Sequence, residues 1–376
     1  MEMMKKLFVL VAWLIAGSLM LGAVWTQKRL TNNAGNSAYP DIAVNGSNVY
    51  VVWCDYTPGN WDIYFRRSTD SGLTWQSAKR LTYNAADCWF PEVAVSGANV
   101  YVVWYDDSSG NEEIYFKRSL DNGATWQATQ RLTTNSGGSA FPAIAASGAN
   151  VYVVWEDNTQ GNADIYFKKS ANGGATWHTA KMLTTNAGSS CLPQIAANGA
   201  NTYVVWHDLT PGNAEIYFKK SADSGTTWQT AKRLTNNAGT SDYVDLTVSG
   251  SNIFVVWNDD TPGNFEIFSM KSDDGGSTWE SWQQQTNDPE VSYCPTIAAS
   301  GSTVYLVWYD LAPGNWEVYL KKSIDSGGSW PSPQRFTNNT GASLYPHIAV
   351  SAAKAYVVWE DSTPGDSEIY LKHSPL

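Results

Sequence analysis

Seven positions, six of them directly after a proline and one after the valine that stands in for it, carry an unlike set of side chains: Asp41, Glu92, Ala143, Gln194, Asp245, Thr296 and His347. An imidazole among carboxylates is the material of general acid/base chemistry or of cation binding, provided the groups converge. His347, Asp41 and Glu92 are the trio to watch, with Asp245 as a fourth candidate. A solvated acidic rim would use the same residues. Two further registers vary as much. One is the middle residue of a Trp-x-Asp run: Cys54, Tyr105, Glu156, His207, Asn258, Tyr309 and Glu360. The other is a loop tip: Trp61, Glu112, Ala163, Ala214, Phe265, Trp316 and Ser367. Trp89 and Tyr293 replace small residues such as Ala38 and Ala140 nearby. Flat apolar rings beside Asn, Asp and Gly loops suit sugar recognition, in which a ring stacks and polar groups hold the rim. The candidate ligand contacts are therefore Trp61, Trp89, Tyr105, Glu156, His207, Phe265, Tyr293, Tyr309 and Trp316. Their plainer role would be to cover neighbouring loops.

These registers exist because the chain repeats. Trp53, Trp104, Trp155, Trp206, Trp257, Trp308 and Trp359 stand 51 residues apart without an insertion or deletion. Seven units of that length cover 357 of the 376 residues, and the period lies in the range of propeller blades. Within a unit, four β-type runs alternate with turn residues, as in Pro91 to Val95, Val100 to Tyr105, Glu113 to Arg118 and Trp126 to Thr133. No sustained helical period occurs. The expectation is an all-β, seven-bladed propeller of four-stranded blades. The last unit ends near where its fourth strand should begin, while Trp25 to Thr31 matches Trp75 to Thr82 apart from one missing residue. The N-terminal strand is therefore expected to pair into the C-terminal blade and close the ring.

Before the repeats, Lys5 and Lys6 precede an apolar run from Leu7 to Leu21. Residues 1–23 read as an export signal, with an uncleaved membrane anchor as the alternative, and residues 24–376 as one propeller. Either reading places the propeller outside the cytoplasm, secreted or on the cell surface. Cys54, Cys88, Cys191 and Cys294 share no register and form no metal motif, and a Cys54–Cys88 bridge between adjacent loops is the one pairing to test. A net charge of −11 sets the chain against a phosphate backbone, so nucleic acid is not an expected partner.

A second motif recurs between the third and fourth runs. Ser68-Thr69-Asp70-Ser71-Gly72-Leu73-Thr74-Trp75 has counterparts centred on Asp121, Asn172, Asp223, Asp274 and Asp325. It resembles the Asp-box, or BNR repeat, of sialidases and of many propellers that are not sialidases. The resemblance spans about residues 24–376 and implies a propeller in which the box is a structural hairpin remote from the binding face. For a sialidase it further implies an arginine triad, a Tyr–Glu nucleophile pair and an Asp acid/base. All eight arginines here sit at repeat positions, and the family's Arg-Ile-Pro signature is absent. Sialidase activity is not the expected one.

Two carboxylates recur in every unit, fourteen in all: the Asp of Trp-x-Asp (such as Asp55) and the acid before the third run (such as Asp62 or Glu113). Nearby turn amides, and a Lys or Arg four or five residues on, give them structural partners, with weak calcium binding as the alternative and no other cofactor expected. The reading is an exported, monomeric binding module for glycans or a glycosylated surface. A glycoside hydrolase or lyase and an adhesive protein-binding platform are the rivals.

Overall fold

The structure, a computed structural model, describes residues 25–375; the segment read as an export signal lies outside them. Seven four-stranded antiparallel sheets stand around an axis as the blades of a propeller. Blade 1 runs from its inner strand outward as Ser37–Asn45, Asn48–Asp55, Asp62–Ser68 and Lys79–Arg80. Blades 2 to 6 repeat this order, and each inner strand packs on the next. Blade 7 takes Ser343–Val350, Lys354–Asp361 and Glu368–Pro375 from the end of the chain and Thr26–Arg29 from its start. Thr26 pairs with His373 and Arg29 with Tyr370, so the expected closure is observed.

The second strand of each blade is buried on both faces, which is why it reads as an unbroken apolar run instead of alternating. Val49 to Trp53 are all 0% exposed. Cores lie between blades: Val52, Ile63 and Phe65 of blade 1 pack with Val93, Val102 and Trp104 of blade 2. Tyr356, Val358 and Ile369 of blade 7 pack in the same way with Ile42, Val51 and Trp53 of blade 1. No blade is a complete core by itself. The fourth strand is shorter than the run from Trp126 to Thr133 suggested, since only Gln130–Arg131 pair in blade 2. A short outer strand offers little edge for another chain to extend.

The boxes are hairpins at the end of the blades opposite the Trp-x-Asp run. In the first, the Ser68 hydroxyl donates to Asp70 Oδ1 at 2.7 Å and accepts the Gly72 amide at 2.9 Å, while the Thr74 amide donates to Asp70 Oδ1 at 2.8 Å. These bonds hold the Asp70 carboxyl down at about 2. Asn172 preserves the turn, because its Oδ1 accepts the Thr176 amide at 2.9 Å and its Nδ2 donates to the Thr176 hydroxyl. The box tryptophan reaches the preceding blade: Trp126 stands edge-on to Phe65, with centroids 4.9 Å apart.

The recurring carboxylates are engaged by protein donors. Asp55 Oδ2 accepts from the Trp53 indole at 3.0 Å, Asn33 Nδ2 at 2.7 Å and Ser37 Oγ at 3.1 Å, and its Oδ1 from the Thr57 amide at 2.9 Å. For the acid before the third strand the partner differs from the one expected. The nearby Lys or Arg of the same strand turns away to the preceding blade, where Lys117 Nζ donates to the Leu81 carbonyl at 2.6 Å. The fourth-strand arginine makes the ion pair instead, as in Arg131–Glu113 at 2.6 Å and Arg335–Glu317 at 2.9 Å. All four cysteines are free thiols, and Cys54 and Cys88 lie in strands and are buried, not in adjacent loops.

Candidate functional site

A bulge at the start of every inner strand builds the site. In blade 1, Ala38 pairs with Cys54 and Asp41 with Val52, so Tyr39 and Pro40 together face the single residue Trp53. Tyr39 takes a φ of 51°, and Phe90, Phe141, Leu192, Tyr243, Cys294 and Tyr345 take φ values between 46° and 48°. Bulky residues rarely adopt that left-handed conformation, and the position before proline disfavours it further. Blade 5 keeps it with Val244 in place of proline, so the bulge does not depend on the proline ring. The bulge re-aims the side chains that follow. Asp41, Glu92, Gln194, Asp245, Thr296 and His347, together with the seven bulge residues, line one axial cavity of about 320 Å³.

Within this throat the unlike groups do converge. His347 Nδ1 lies 3.1 Å from Asp41 Oδ1, across the junction that closes the ring. Gln194 Nε2 donates to Glu92 Oε1 at 3.1 Å, reaching past blade 3, where Ala143 leaves room. The carboxylates also tie blades together. Asp41 Oδ2 accepts the Val93 amide at 2.7 Å, Glu92 Oε2 the Ile144 amide at 3.0 Å and Asp245 Oδ2 the Ile297 amide at 2.9 Å, each on the following blade. Enclosure pushes Glu92 well above the usual carboxylate range, helped by the charge of Asp41 and opposed by Gln194 and His347. Enclosure likewise raises Asp245 to about 6. For His347, enclosure works against the cation, but the hydrogen bond and charge of Asp41, with Glu92 and Asp245 beyond, outweigh it and raise the imidazole.

Around the mouth lies a collar of aromatic rings. The loop residue just before the third strand clamps onto the next blade through its carbonyl, as the Cys88 amide donates to the Trp61 carbonyl at 2.8 Å. That clamp sets Trp61 beside Trp89, with centroids 5.1 Å apart. The contacts continue from Trp89 to Tyr39 at 6.2 Å, then through Phe90 to Phe141 at 5.0 Å on one side. On the other side they pass through Tyr345 to Tyr309 at 5.8 Å, and from there to Trp316 at 5.0 Å and Tyr293 at 6.1 Å. Tyr293 in turn meets Tyr243 at 4.8 Å and Phe265 at 5.3 Å. The collar thus runs unbroken from blade 5 through blades 6, 7, 1 and 2 to blade 3.

Seven of the nine expected ligand contacts belong to this one network. None of the seven rings is fully exposed: Trp61, Trp89, Phe265, Tyr293 and Trp316 are half-buried, while Tyr105 and Tyr309 are 8% and 6% exposed and support the collar from beneath. The other two, Glu156 and His207, fall in the gap at blades 3 and 4. Glu156 is spent on the Leu192 amide at 3.0 Å and raised by burial. His207 is held down to about 4 by burial, and its Nδ1 has no partner. The bulge residues were not among the candidates. An aromatic residue before proline in four of the seven units was the available signal, but a regular strand would not have turned it into the throat.

An aromatic collar above a polar axial throat, on a ring of Asp-box blades, defines the class: a seven-bladed Asp-box propeller with an axial cavity at one face. The chain belongs to the BNR repeat-like domain family, whose model matches residues 59–306. No curated protein sequence matches it. Among solved structures it is similar to the polysaccharide lyase Uly1, with a TM-score of 0.63 at 10% identity over 96% of this chain and 94% of that one. The phage phi92 endosialidase is similar at a TM-score of 0.56 and 10% identity, over 95% of this chain and 71% of that one. An α-L-arabinofuranosidase of Fusarium graminearum, solved with arabinobiose, gives a TM-score of 0.55 at 15% identity over 83% and 97%. Likenesses at these identities concern the fold.

Proposed function

We propose that the protein is an exported glycan-recognition module that binds a carbohydrate chain across the mouth of its axial channel. The observation that carries this reading is the unbroken aromatic collar, which offers stacking faces around a throat rich in hydrogen-bond acceptors. The solved relatives named above as a polysaccharide lyase, an endosialidase and an arabinofuranosidase support a carbohydrate ligand for a propeller of this kind. The testing experiment is a glycan-array screen of the full chain, with calcium and with chelator. Saturable binding that survives the chelator is expected. Silence on the whole array would remove the reading and point to the rival platform for protein partners.

A second reading rests on the His347–Asp41 contact at 3.1 Å with Glu92 beside it, and makes the throat a hydrolase or lyase centre. Recognition is favoured because Asp41, Glu92 and Asp245 each commit an oxygen to an amide of the next blade, a structural use for these carboxyl groups. Turnover of an array hit that disappears in Asp41→Asn and Glu92→Gln, with binding retained, would move the assignment to catalysis.

A further inference from the structure

Positive charge lies mainly on the outer strands of this ring, away from its axis. Every Lys and Arg among the described residues lies on a third or fourth strand, except Lys354 at the start of a second strand, at the end remote from the mouth. Many of their head groups are also occupied. The fourth-strand arginines pair with the acids Asp62, Glu113, Glu215, Glu317 and Glu368, and third-strand residues such as Lys117, Lys168 and Lys219 donate to carbonyls of the preceding blade. None of these cations lines the axial cavity.

The mouth, by contrast, carries carboxyl groups at every depth, although burial favours the uncharged form of Glu92, Asp242, Asp245 and Glu360. Asp41, Glu92 and Asp245 line the throat, Asp242 and Glu360 sit where inner and second strands reach the collar, and Glu112 stands exposed at a loop tip. The single basic group facing the throat is His347, and Asp41 already holds it.

We infer that the mouth takes an uncharged polysaccharide chain and turns away chains that carry carboxylate or sulfate groups. This deepens the glycan-binding reading and rests on it. A neutral sugar offers C–H faces to the collar and hydroxyl donors to carboxylate oxygens, which remain acceptors after taking one backbone amide each. A carboxylated sugar offers the same faces but brings a negative charge. Like charges a few ångströms apart repel weakly in bulk water and several times more strongly near a protein surface. No arginine or lysine lines the throat to reverse the sign. At about 320 Å³ the throat is at the small end of ligand sites, so a chain end or a short stretch seats there while flanking sugars lie on the collar.

The test measures binding of the full chain to neutral hexasaccharides (cellohexaose, mannohexaose and N-acetylchitohexaose) and to carboxylated ones (hexagalacturonate and a sialylated hexasaccharide), at low and at physiological salt. At least one neutral chain should bind about tenfold or more tighter than either carboxylated chain at low salt, and the gap should narrow as salt screens the mouth. Glu112→Lys places a cation at an exposed rim position without touching the throat, and it should raise the affinity for the carboxylated chains. Equal or tighter binding of a carboxylated chain by the unaltered protein would overturn the inference while leaving glycan recognition standing. So would an unchanged ratio in Glu112→Lys. Binding of no chain from either set would overturn the glycan reading itself, and the inference with it.

Discussion

Glu360 shows what a single residue contributes at the mouth. It is 7% exposed, its Oε2 accepts the Tyr39 amide at 3.1 Å, and burial pushes its carboxyl up to about 7. In the unfolded chain it ionises near the usual 4.5. Between these values the folded protein holds a proton that the unfolded chain has released. Stability from this group is therefore full below about 4.5, falls as pH rises, and reaches its lowest level above about 7. Glu360→Gln keeps the acceptor for Tyr39 and removes the charge. It should raise stability at pH 8 by on the order of 2–3 kcal/mol relative to its effect at pH 4, which denaturant melts at both pH values would show. Equal effects at the two pH values would contradict a buried, charge-averse Glu360. At this scale the sequence was partly readable. His347, Asp41, Glu92 and Asp245 could be found because they break the repeat, and the same contrast located Trp61, Trp89 and Trp316. Tyr39, Phe90, Phe141 and Tyr345 could not, because a positive φ is a backbone property and nothing in a Tyr-Pro or Phe-Pro pair announces it.

The blade as an element is held by contacts that vary from unit to unit, and the variation can be tested. Blade 3 has Met182 where five other blades have the fourth-strand arginine and blade 5 has Gln284, which leaves Asp164 without an ion-pair partner and raised by burial. Met182 is 40% exposed, so an arginine there can keep its stem outside and reach inward as Arg80 does to Asp62. Met182→Arg should stabilise the fold by about 1–2 kcal/mol and bring the Asp164 carboxyl down, measured by chemical denaturation and by NMR titration. The box makes the opposite case. Gly123 has a φ of 83°, and a Cβ there would overlap the Phe65 ring of blade 1. Gly123→Ala should cost about 1–3 kcal/mol, whereas Gly97→Ala, with a φ of 60° and open space around it, should carry only the backbone strain. The Asp-box turn itself was readable, since Ser, Asp and Gly at those offsets have few other uses. Its reach across to the neighbouring blade was not, because spacing within one unit carries no information about what the Trp126 ring meets.

For the whole molecule, the repeat length alone was enough to foresee a closed seven-bladed ring, and the offset copy at residues 25–31 located the seam. The seam is also where the ring should be most sensitive. Leu30 is 2% exposed and packs with Val51, Tyr356, Ile369 and Leu371, joining blade 7 to blade 1. Leu30→Ala should cost about 2–4 kcal/mol and lower the melting temperature of the entire ring in one transition, because cores lie between blades and none can be lost alone. An early, separate transition in calorimetry would show instead that the last blade unfolds independently. Closure also explains why the functional face is collective. Trp61 and Trp89 belong to different blades, Tyr345 meets Tyr39 only across the seam, and the throat needs all seven inner strands.

The most direct test of glycan recognition at the mouth is calorimetric titration of an array-identified oligosaccharide into the intact protein and into Trp61→Ala/Trp89→Ala, with melting curves for both. Both rings are half-buried at the rim, outside the blade's innermost core. Loss of about tenfold or more in affinity, with the same single melting transition, is the expected result. Unchanged affinity in a folded double variant would place the carbohydrate elsewhere on the propeller and contradict the collar as its site.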